Sequence, residues 1–235
     1  MRISILDLTG HPKTLLWDMP RVGALIRGWL APALPEAVIE VHDVAEGGAA
    51  LPETCDFDGL VVSGSEHGVY DPVPWIAPLK ALLLATRDTG KPIYGICFGH
   101  QIMADTFGGR AEKAPQGNHI GARRFAMDGQ GTLDAHVWHQ DQVTAVPPGA
   151  RVTGRADHCP VAALEYDFPA QSVQFHPEYS QGHLRGLFTR LEGELLDARQ
   201  RDAAIESFTG SQVAHDLGAK EAAAFFRQHV GALAR

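Results

Sequence analysis

The fold prediction starts from one segment of the 235-residue chain, Pro92-Ile93-Tyr94-Gly95-Ile96-Cys97-Phe98-Gly99-His100-Gln101. The apolar run over residues 92–96 predicts a buried strand, and the apolar residues within 102–107 have the spacing of a helix. Between strand and helix stands the pattern Gly-x-Cys-x-Gly. This order predicts a nucleophile elbow, the tight strand-to-helix turn that exposes a nucleophilic side chain, here Cys97.

Cys97 has the surroundings of a reactive thiol. Gly95 and Gly99 carry no side chains, so the chain can bend sharply on either side of Cys97. The unpaired N–H groups at the start of the following helix favour a thiolate over a thiol. The alternative interpretation is a small cysteine packed under a helix, since free cysteines are often buried. Two glycines at this spacing favour the nucleophile.

A second segment, Val173-Gln174-Phe175-His176-Pro177-Glu178, contains a candidate base. In an extended segment residues two apart face the same side, so Glu178 is within reach of the His176 ring. Pro177 keeps His176 out of helical conformation. A carboxylate on one ring nitrogen sets the tautomer and leaves the other nitrogen for the cysteine proton. The alternative is a strand end with a surface acid, and the cysteine elbow in the same chain favours the base.

The rest of the chain shows the alternation of βα units around a mostly parallel sheet. Buried strands are predicted at residues 3–8, 38–44, 59–63 and 92–96. Helices are predicted at residues 22–30 and 76–89. Further strands, some of them antiparallel, are predicted at residues 122–127, 135–139, 161–165 and 172–175. From about residue 180 the sequence predicts helices, the last of them amphipathic, and no linker is long enough to divide domains.

Composition argues against several classes of function. Lys and Arg number 20 against 28 Asp and Glu, a formal net charge of −8. This balance argues against nucleic acid as the main partner, because a phosphate-binding surface is basic. The three cysteines, Cys55, Cys97 and Cys159, are too few and odd in number for a disulfide framework, and they suit a reducing compartment.

The sequence predicts neither export nor a membrane span. Its amino terminus begins as a strand and lacks the long apolar core and cleavage site of a signal peptide. No apolar run approaches the roughly 18 residues that span a bilayer. We therefore expect a soluble cytoplasmic protein with no membrane partner.

Candidate metal and nucleotide sites are weak. His136 and His139 are three apart on a predicted strand, which turns them to opposite sides. His158-Cys159 has no second pair at ligand spacing. No P-loop or Gly-x-Gly-x-x-Gly follows a predicted strand. We expect no metal and no cofactor.

Taken together, Tyr94–Gln101 and Phe175–Glu178 resemble the class I (triad) glutamine amidotransferases. The likeness extends over about residues 3–179, and it is nearest to stand-alone members similar to the glutaminase domain of GMP synthase. The order of the two motifs and their separation of 79 residues suit that family. The resemblance implies a Cys97–His176–Glu178 catalytic triad.

The resemblance also implies an architecture. The expected fold is a flavodoxin-like three-layer α/β sandwich with a central, mostly parallel sheet and additional C-terminal helices. Residues 1–190 would form the amidotransferase-like domain, and residues 191–235 would form a helical extension packed on it.

An acyl-transfer site needs donors for an oxyanion. The N–H group of Phe98, directly after the nucleophile, is one candidate from the geometry of an elbow. The resemblance implies that the second donor is the backbone N–H of Gly64 or Ser65. The loop that contains these two residues would also form as a plain βα turn, which is the alternative interpretation.

The resemblance implies that Gln101, Gln140 and Asp141 contact the substrate, whereas His139 is architectural. Two stretches depart from the pattern of synthetase-linked members. Residues 63–66 read Ser-Gly-Ser-Glu where those members usually have Ser-Gly-Gly-Pro, and Trp138 and Gln140 are larger than the residues usual around the substrate loop. Both departures leave the triad intact and concern which group the substrate carries on its γ-carbonyl.

The function that follows from the resemblance is cysteine-dependent hydrolysis of a γ-glutamyl amide through a γ-glutamyl thioester. The partner is then a small γ-glutamyl substrate such as glutamine. One version is a glutaminase that passes ammonia to a separate synthetase subunit, and the other is a free-standing γ-glutamyl hydrolase. Two rivals stay open: a non-catalytic partner-binding module that retains the fold, and a Cys-elbow peptidase-like relative, a group that usually lacks His-Pro-Glu here.

Overall fold

The computed structural model describes residues 1–10, 13–115, 117–213 and 215–233. Within these ranges the strands are β1 (Arg2–Asp7), β2 (Val38–Asp43), β3 (Gly59–Val62), β4 (Ile93–Ile96), β5 (Arg110–Lys113), β6 (His119–Met127), β7 (Gly131–His139), β8 (Asp141–Ala145), β9 (Ala150–Ala156), β10 (Cys159–Tyr166) and β11 (Ala170–Val173). The helices are α1 (Lys13–Leu16), α2 (Val22–Leu30), α3 (Ile76–Asp88), α4 (Phe98–Thr106), α5 (Gln181–Leu191), α6 (Ala198–Glu206) and α7 (His215–Leu233), with a 3₁₀ turn at Ala31–Ala33.

One sheet runs through the molecule in the order β2-β1-β3-β4-β11-β10-β9-β6-β7. The neighbours from β2 to β11 pair in parallel. The neighbours from β11 to β7 pair antiparallel, and β5 with β8 forms a separate antiparallel pair. The predicted α/β class, with a parallel sheet continued by antiparallel strands, is confirmed.

Two hydrophobic cores lie on opposite faces of this sheet. Ile3 and Ile5 of β1 join a core with apolar residues of α2 and α7. Leu6 and Leu8 join a core with α3 and α4 instead. Because successive side chains of a strand point to opposite faces, this alternation fills both cores from one strand. The arrangement of helices, sheet and helices is the expected three-layer sandwich.

Three strands, β5, β8 and β9, were not predicted from the sequence. They are short or polar, as in the Arg-Ala-Glu-Lys of β5, where only the alanine is buried. A strand that contributes so little to a core lacks the apolar alternation that reveals strands in a sequence. The helices predicted at residues 22–30 and 76–89 match α2 and α3 closely.

The C-terminal helices pack against the sheet and its neighbouring elements. Phe226 of α7 is fully buried, and a methyl group added to Gly59 of β3 would lie 2.8 Å from its ring. Helices α5 and α6 share a third apolar cluster with Ile120 of β6. We propose that the extension at 191–235, of which residues 214, 234 and 235 lie outside the described ranges, belongs to the same domain as residues 1–190. None of the described helices combines the length and hydropathy of a transmembrane segment.

Candidate active site

Cys97 occupies a sharp turn between β4 and α4. Its backbone has φ 53° and ψ −102°, and within the described ranges it is the one residue other than glycine with a positive φ. Such a conformation is costly and persists only where the surroundings hold it. The Cys97 N–H donates to the carbonyl of Val173 at 2.8 Å, which ties the turn to the end of β11. This is the geometry that an elbow requires.

The two flanking glycines are sterically required. A methyl group on Gly99 would lie 2.2 Å from the carbonyl oxygen of Val62, and one on Gly95 would lie 2.5 Å from Sδ of Met103. The Gly99 N–H also donates to the Ser63 carbonyl at 3.0 Å. The start of α4 therefore crosses the end of β3 at a distance that only glycine permits.

His176 and Glu178 form a buried hydrogen-bonded pair. Nδ1 of His176 donates to Oε1 of Glu178 at 2.8 Å, and both side chains are almost fully buried. The His176 N–H donates to the carbonyl of His136, and the ring stacks on Tyr179 at 4.2 Å between centroids. With Nδ1 committed to Glu178, Nε2 is the nitrogen that remains for proton transfer.

The electrostatics of this pair favour a protonated imidazole. Burial disfavours charge on His176, but the Glu178 carboxylate and the Cys97 sulfur outweigh it and raise the pKa of His176 to about 10. An imidazolium next to a cysteine favours the thiolate, which is the nucleophilic form. By contrast, burial raises the pKa of Cys159 to about 12.

The predicted oxyanion donors lie around Cys97. A methyl group on Gly64 would lie 2.9 Å from Cε1 of His176 and 3.7 Å from Cβ of Cys97, so the Gly64 backbone borders both residues. Ser65 follows in the same loop, and Phe98 is the first residue of α4. Among the described residues, no hydrogen bond from the N–H groups of Gly64, Ser65 or Phe98 is formed, which leaves all three available as donors.

One cavity connects most of the predicted site. It measures about 750 Å³, and its described lining includes Gly64, Ser65, Cys97, Gln140 and His176. The elements that deliver these residues are the loops after β3 and β4 and the ends of β7 and β11. Since parallel strands end at one edge of the sheet, their loops meet there.

The other predicted contacts are placed behind this lining. Gln101 and Asp141 are buried and are not among the described lining residues. Nε2 of Gln101 donates to the Asp141 carbonyl at 2.8 Å, and the Tyr70 hydroxyl donates to the Asp141 carboxylate at 2.9 Å. Gln140 therefore lines the cavity, whereas Gln101 holds the loop beside it through its hydrogen bond to Asp141.

Gln174 is a site residue that the sequence analysis did not single out. Its side chain is fully buried, Nε2 donates to Sγ of Cys97 at 3.6 Å, and Oε1 accepts from Gln101 at 3.1 Å. A signal was present, because Gln174, His176 and Glu178 are spaced by two and share a side of an extended segment. What was missing was the knowledge that this side faces Cys97.

Gln174→Leu is expected to slow alkylation of Cys97 by iodoacetamide by about tenfold at neutral pH. The substitution preserves the volume but removes an N–H donor to the thiolate, and a hydrogen bond to a charged group is worth about 1.5–3 kcal/mol. Mass-spectrometric rates of Cys97 labelling would measure the change. Gln171→Leu, the same substitution on β11, is the matched control and should label at the wild-type rate. Equal rates in both variants would contradict a role for Gln174 at the sulfur.

A cluster of three histidines lies near the candidate site. The rings of His119, His139 and His158 have centroids 4.8–6.2 Å apart, and the Nε2 atom of each is buried without a hydrogen-bond partner in the structure. Burial lowers the pKa of His139 to about 3 and that of His158 to about 4. Among the described residues, no group of three or more histidine, cysteine or acidic residues has the geometry to hold a metal ion.

The free energy of unfolding is expected to fall as the pH drops from about 6.5 toward 4. The cluster histidines stay neutral in the folded protein, whereas in the unfolded chain they take up protons near their ordinary pKa of 6.5. The stability they contribute is therefore present above pH 6.5 and is lost below it, with a slope of up to about 1.4 kcal/mol per pH unit from His139, which is the most deeply buried of the three, and smaller contributions of the same sign from His119 and His158. Urea unfolding at several pH values would measure it. His139→Phe should flatten the slope, and an unchanged slope would contradict the assignment.

Comparison with known proteins identifies the family of this chain. Residues 35–191 match the family model described as glutamine amidotransferase class-I. A GMP synthase [glutamine-hydrolyzing] of Azoarcus sp. (strain BH72) is 35% identical over 185 residues, which cover 72% of this chain and 34% of that protein. Gamma-glutamyl peptidase 2 of Arabidopsis thaliana is 31% identical over 146 residues, which cover 57% of this chain and 59% of the peptidase.

A solved structure supports the same fold. The crystal structure of a glutamine amido transferase from Methylobacillus flagellatus superposes with a TM-score of 0.75 at 22% identity, over 97% of this chain and 94% of that one. The alignment with the GMP synthase extends over only about a third of that enzyme's length. The family match, in contrast, includes Cys97, His176 and Glu178 and most of the parallel sheet, and on it the chain belongs to the class-I glutamine amidotransferase family.

Proposed function

We propose that this protein hydrolyses a γ-glutamyl amide bond through a thioester on Cys97. The observation that carries the proposal is that Cys97, at its sharp turn, and His176 line one cavity, and that Nδ1 of His176 donates to the buried Glu178 carboxylate at 2.8 Å. Family membership supports the reaction class, and the relation to a protein named as a γ-glutamyl peptidase supports the substrate class.

The first half of the reaction forms the thioester. The Cys97 thiolate attacks the γ-carbonyl carbon, and the oxygen becomes an oxyanion that accepts hydrogen bonds from the N–H groups of Phe98 and of Gly64 or Ser65. His176 then gives its Nε2 proton to the leaving nitrogen. The C–N bond breaks, ammonia or an amine leaves, and the γ-glutamyl group stays on Cys97.

The second half releases glutamate. Neutral His176 takes a proton from water, the resulting hydroxide attacks the thioester carbon, and the C–S bond breaks. The thiolate and the imidazolium are thereby restored. Glu178 holds the ring and stabilises its positive charge without taking a proton itself.

Supporting roles follow from the contacts. Gln174 donates to the sulfur and favours the thiolate before attack. Gln140 lines the cavity and is proposed to contact the substrate. Gln101 and Asp141 act together, because Gln101 donates to the Asp141 carbonyl and so orders the loop that borders the glutamyl group. No step requires a cofactor.

The relatives are compatible with two versions of this reaction, one coupled to a synthetase and one free-standing. Similarity to GMP synthases supports a glutaminase that delivers ammonia to a separate synthetase subunit. Similarity to a γ-glutamyl peptidase supports a hydrolase that acts alone. We propose the free-standing hydrolase, because the cavity is larger than glutamine needs. We also propose a reducing compartment such as the cytoplasm, because the nucleophile must remain a free thiol.

Glutamate release by the purified protein tests the proposal. Glutamine, several γ-glutamyl amines and several γ-glutamyl peptides would be supplied separately, with Cys97→Ala protein as the blank. Cys97-dependent release from at least one compound is the expected result. Release from glutamine that appears only with a synthetase partner would favour the coupled version. Absence of any release with every substrate and with the partner would favour the non-catalytic module.

A further inference from the structure

The size of the cavity is not explained by glutamine. Cavities that enclose drug-sized ligands measure roughly 300–1,000 Å³. The cavity above Cys97, at about 750 Å³, lies in the upper part of that range. Glutamine has the size of a single amino acid, and the group that leaves from it is only ammonia. Much of the cavity is therefore available to a larger leaving group.

The lining of this cavity has two different sides. The side that holds the nucleophile is polar and includes Gly64, Ser65, Gln140 and His176. The other part of the lining consists of apolar residues from α1, the turn after it, the start of α2, the C-terminal part of α5 and the turn after α5. These residues, called here the apolar wall, are Leu16, Met19, Pro20, Val22, Leu187, Leu191 and Leu195.

Helix α5 presents a continuous face to the cavity. His183, Leu187 and Leu191 are spaced by four and lie on one side of the helix. Leu195, in the turn after the helix, also lines the cavity and is 61% exposed. An apolar side chain left this exposed at a cavity wall gains stability when a ligand covers it.

Trp138 packs against α5. Its ring lies 5.3 Å from that of Phe188, between centroids, and Trp138 itself lines the cavity at the end of β7. The large Trp138 side chain therefore contacts both the cavity near Cys97 and the helix that carries part of the apolar wall.

A γ-glutamyl amide has a glutamyl half and an amine half, and their chemistry indicates which of them contacts the apolar wall. The glutamyl half carries an ammonium and a carboxylate, and charged groups are costly to place against apolar side chains. The two halves extend in opposite directions from the γ-carbonyl. Resting on the proposed hydrolase function, we infer that the apolar wall binds the amine half of a γ-glutamyl conjugate with a large apolar side chain, as in γ-glutamylleucine.

The charged residues of the lining do not indicate that the cavity selects a cationic amine. Two carboxylates lie among the described lining residues, Glu46 and Glu66, and both are engaged by neighbours. Glu46 forms an ion pair with Arg21, and Glu66 accepts the Gly10 N–H at 2.9 Å. Selection by apolar contact therefore accounts for the lining better than selection of a cationic amine.

The test compares γ-glutamylleucine with γ-glutamylglycine and glutamine. Wild-type kcat/KM is expected to be at least tenfold higher for γ-glutamylleucine than for γ-glutamylglycine, because even one methylene group in an apolar pocket changes kcat/KM roughly 10–200-fold. Leu195→Ser and Leu187→Ser should each reduce this ratio threefold or more, because each removes apolar contact with the leucine side chain. Leu217→Ser, at a half-exposed leucine of α7 outside this cavity, is the matched control and should keep the wild-type ratio.

A binding measurement separates the two proposals. Calorimetry with Cys97→Ala protein would give the Kd of intact γ-glutamylleucine and γ-glutamylglycine, and the same pair would be measured after adding Leu195→Ser. Hydrolysis without preference for γ-glutamylleucine, or a preference that survives both wall variants, overturns the inference and leaves the hydrolase intact. A second outcome is that no Cys97-dependent hydrolysis occurs, but γ-glutamylleucine binds more tightly than γ-glutamylglycine and Leu195→Ser abolishes this preference. That outcome overturns only the hydrolase function. Absence of both overturns both.

Discussion

Cys97→Ala and His176→Ala are each expected to lower kcat/KM on the best γ-glutamyl substrate by roughly 10³-fold or more. Without the sulfur no thioester forms, and without the imidazole neither half-reaction has a proton donor or acceptor. Cys97→Ser should be similarly inactive, because a hydroxyl does not ionise under the conditions that favour a thiolate. Steady-state glutamate release measures the loss.

Glu178→Gln should cost less, roughly 10–150-fold in rate. The side-chain oxygen still accepts from Nδ1, and what is lost is the charged component of the hydrogen bond, worth about 1.5–3 kcal/mol. Because the Glu178 carboxylate helps raise the pKa of His176 to about 10, this variant should also move the basic limb of the pH–rate profile to lower pH. An unshifted basic limb would contradict the assigned pairing.

Controls for these variants come from the other cysteines. Cys55→Ala at an exposed position and Cys159→Ala at a buried one should retain wild-type turnover. Circular dichroism and thermal unfolding would establish that the Cys97 and His176 variants remain folded. Near-wild-type turnover in Cys97→Ala would refute the triad.

Gly99→Ala is expected to lower the free energy of unfolding by about 3 kcal/mol or more. The added methyl group would lie 2.2 Å from the backbone oxygen of Val62, which belongs to a central strand. Relief requires α4 to move away from β3, and this movement breaks the hydrogen bond from Gly99 to the Ser63 carbonyl. Because Cys97 precedes α4 directly, turnover should fall together with stability.

Gly28→Ala is the matched control for that substitution. Gly28 also lies in a helix, α2, but nothing is within 4 Å of the position that its methyl group would occupy. Alanine is the better helix former, so this variant should raise the free energy of unfolding by up to about 1 kcal/mol. Urea unfolding of both variants measures the pair, and a Gly99→Ala protein as stable as the Gly28→Ala protein would show that the crossing of α4 over β3 is looser than the structure indicates.

The parts of the fold that could be predicted were those with a strong local pattern. The strands at residues 3–8 and 59–63 are mostly apolar because both of their faces are buried, and such runs can be recognised directly in the amino-acid sequence. The edge strand β5 buries a single alanine and leaves no such trace. Its pairing with β8 depends on residues about thirty positions away, which local periodicity does not report.

The candidate site divides in the same way. The bend at Cys97 and the His176–Glu178 contact involve residues within a few positions of one another, so glycine spacing and the two-residue period of an extended chain were sufficient to predict both. The pairing of Cys97 with His176 was inferred from their chemistry and from resemblance to a family, because no local pattern brings residues 79 positions apart together. In the structure it follows from the parallel pairing of β4 with β11.

The contact of Gln174 with Cys97 and the apolar wall are visible only in the tertiary structure. Gln174 lies 77 residues from the sulfur it contacts, and Leu16 and Leu195 reach the same cavity from nearly opposite ends of the chain. Short-range sterics and periodicity are properties of neighbouring residues and are therefore carried by the amino-acid order. The order of strands in the sheet and the place of α5 at the cavity result from burying the two cores of the sheet together with the third apolar cluster, and this depends on contacts between residues far apart in the chain.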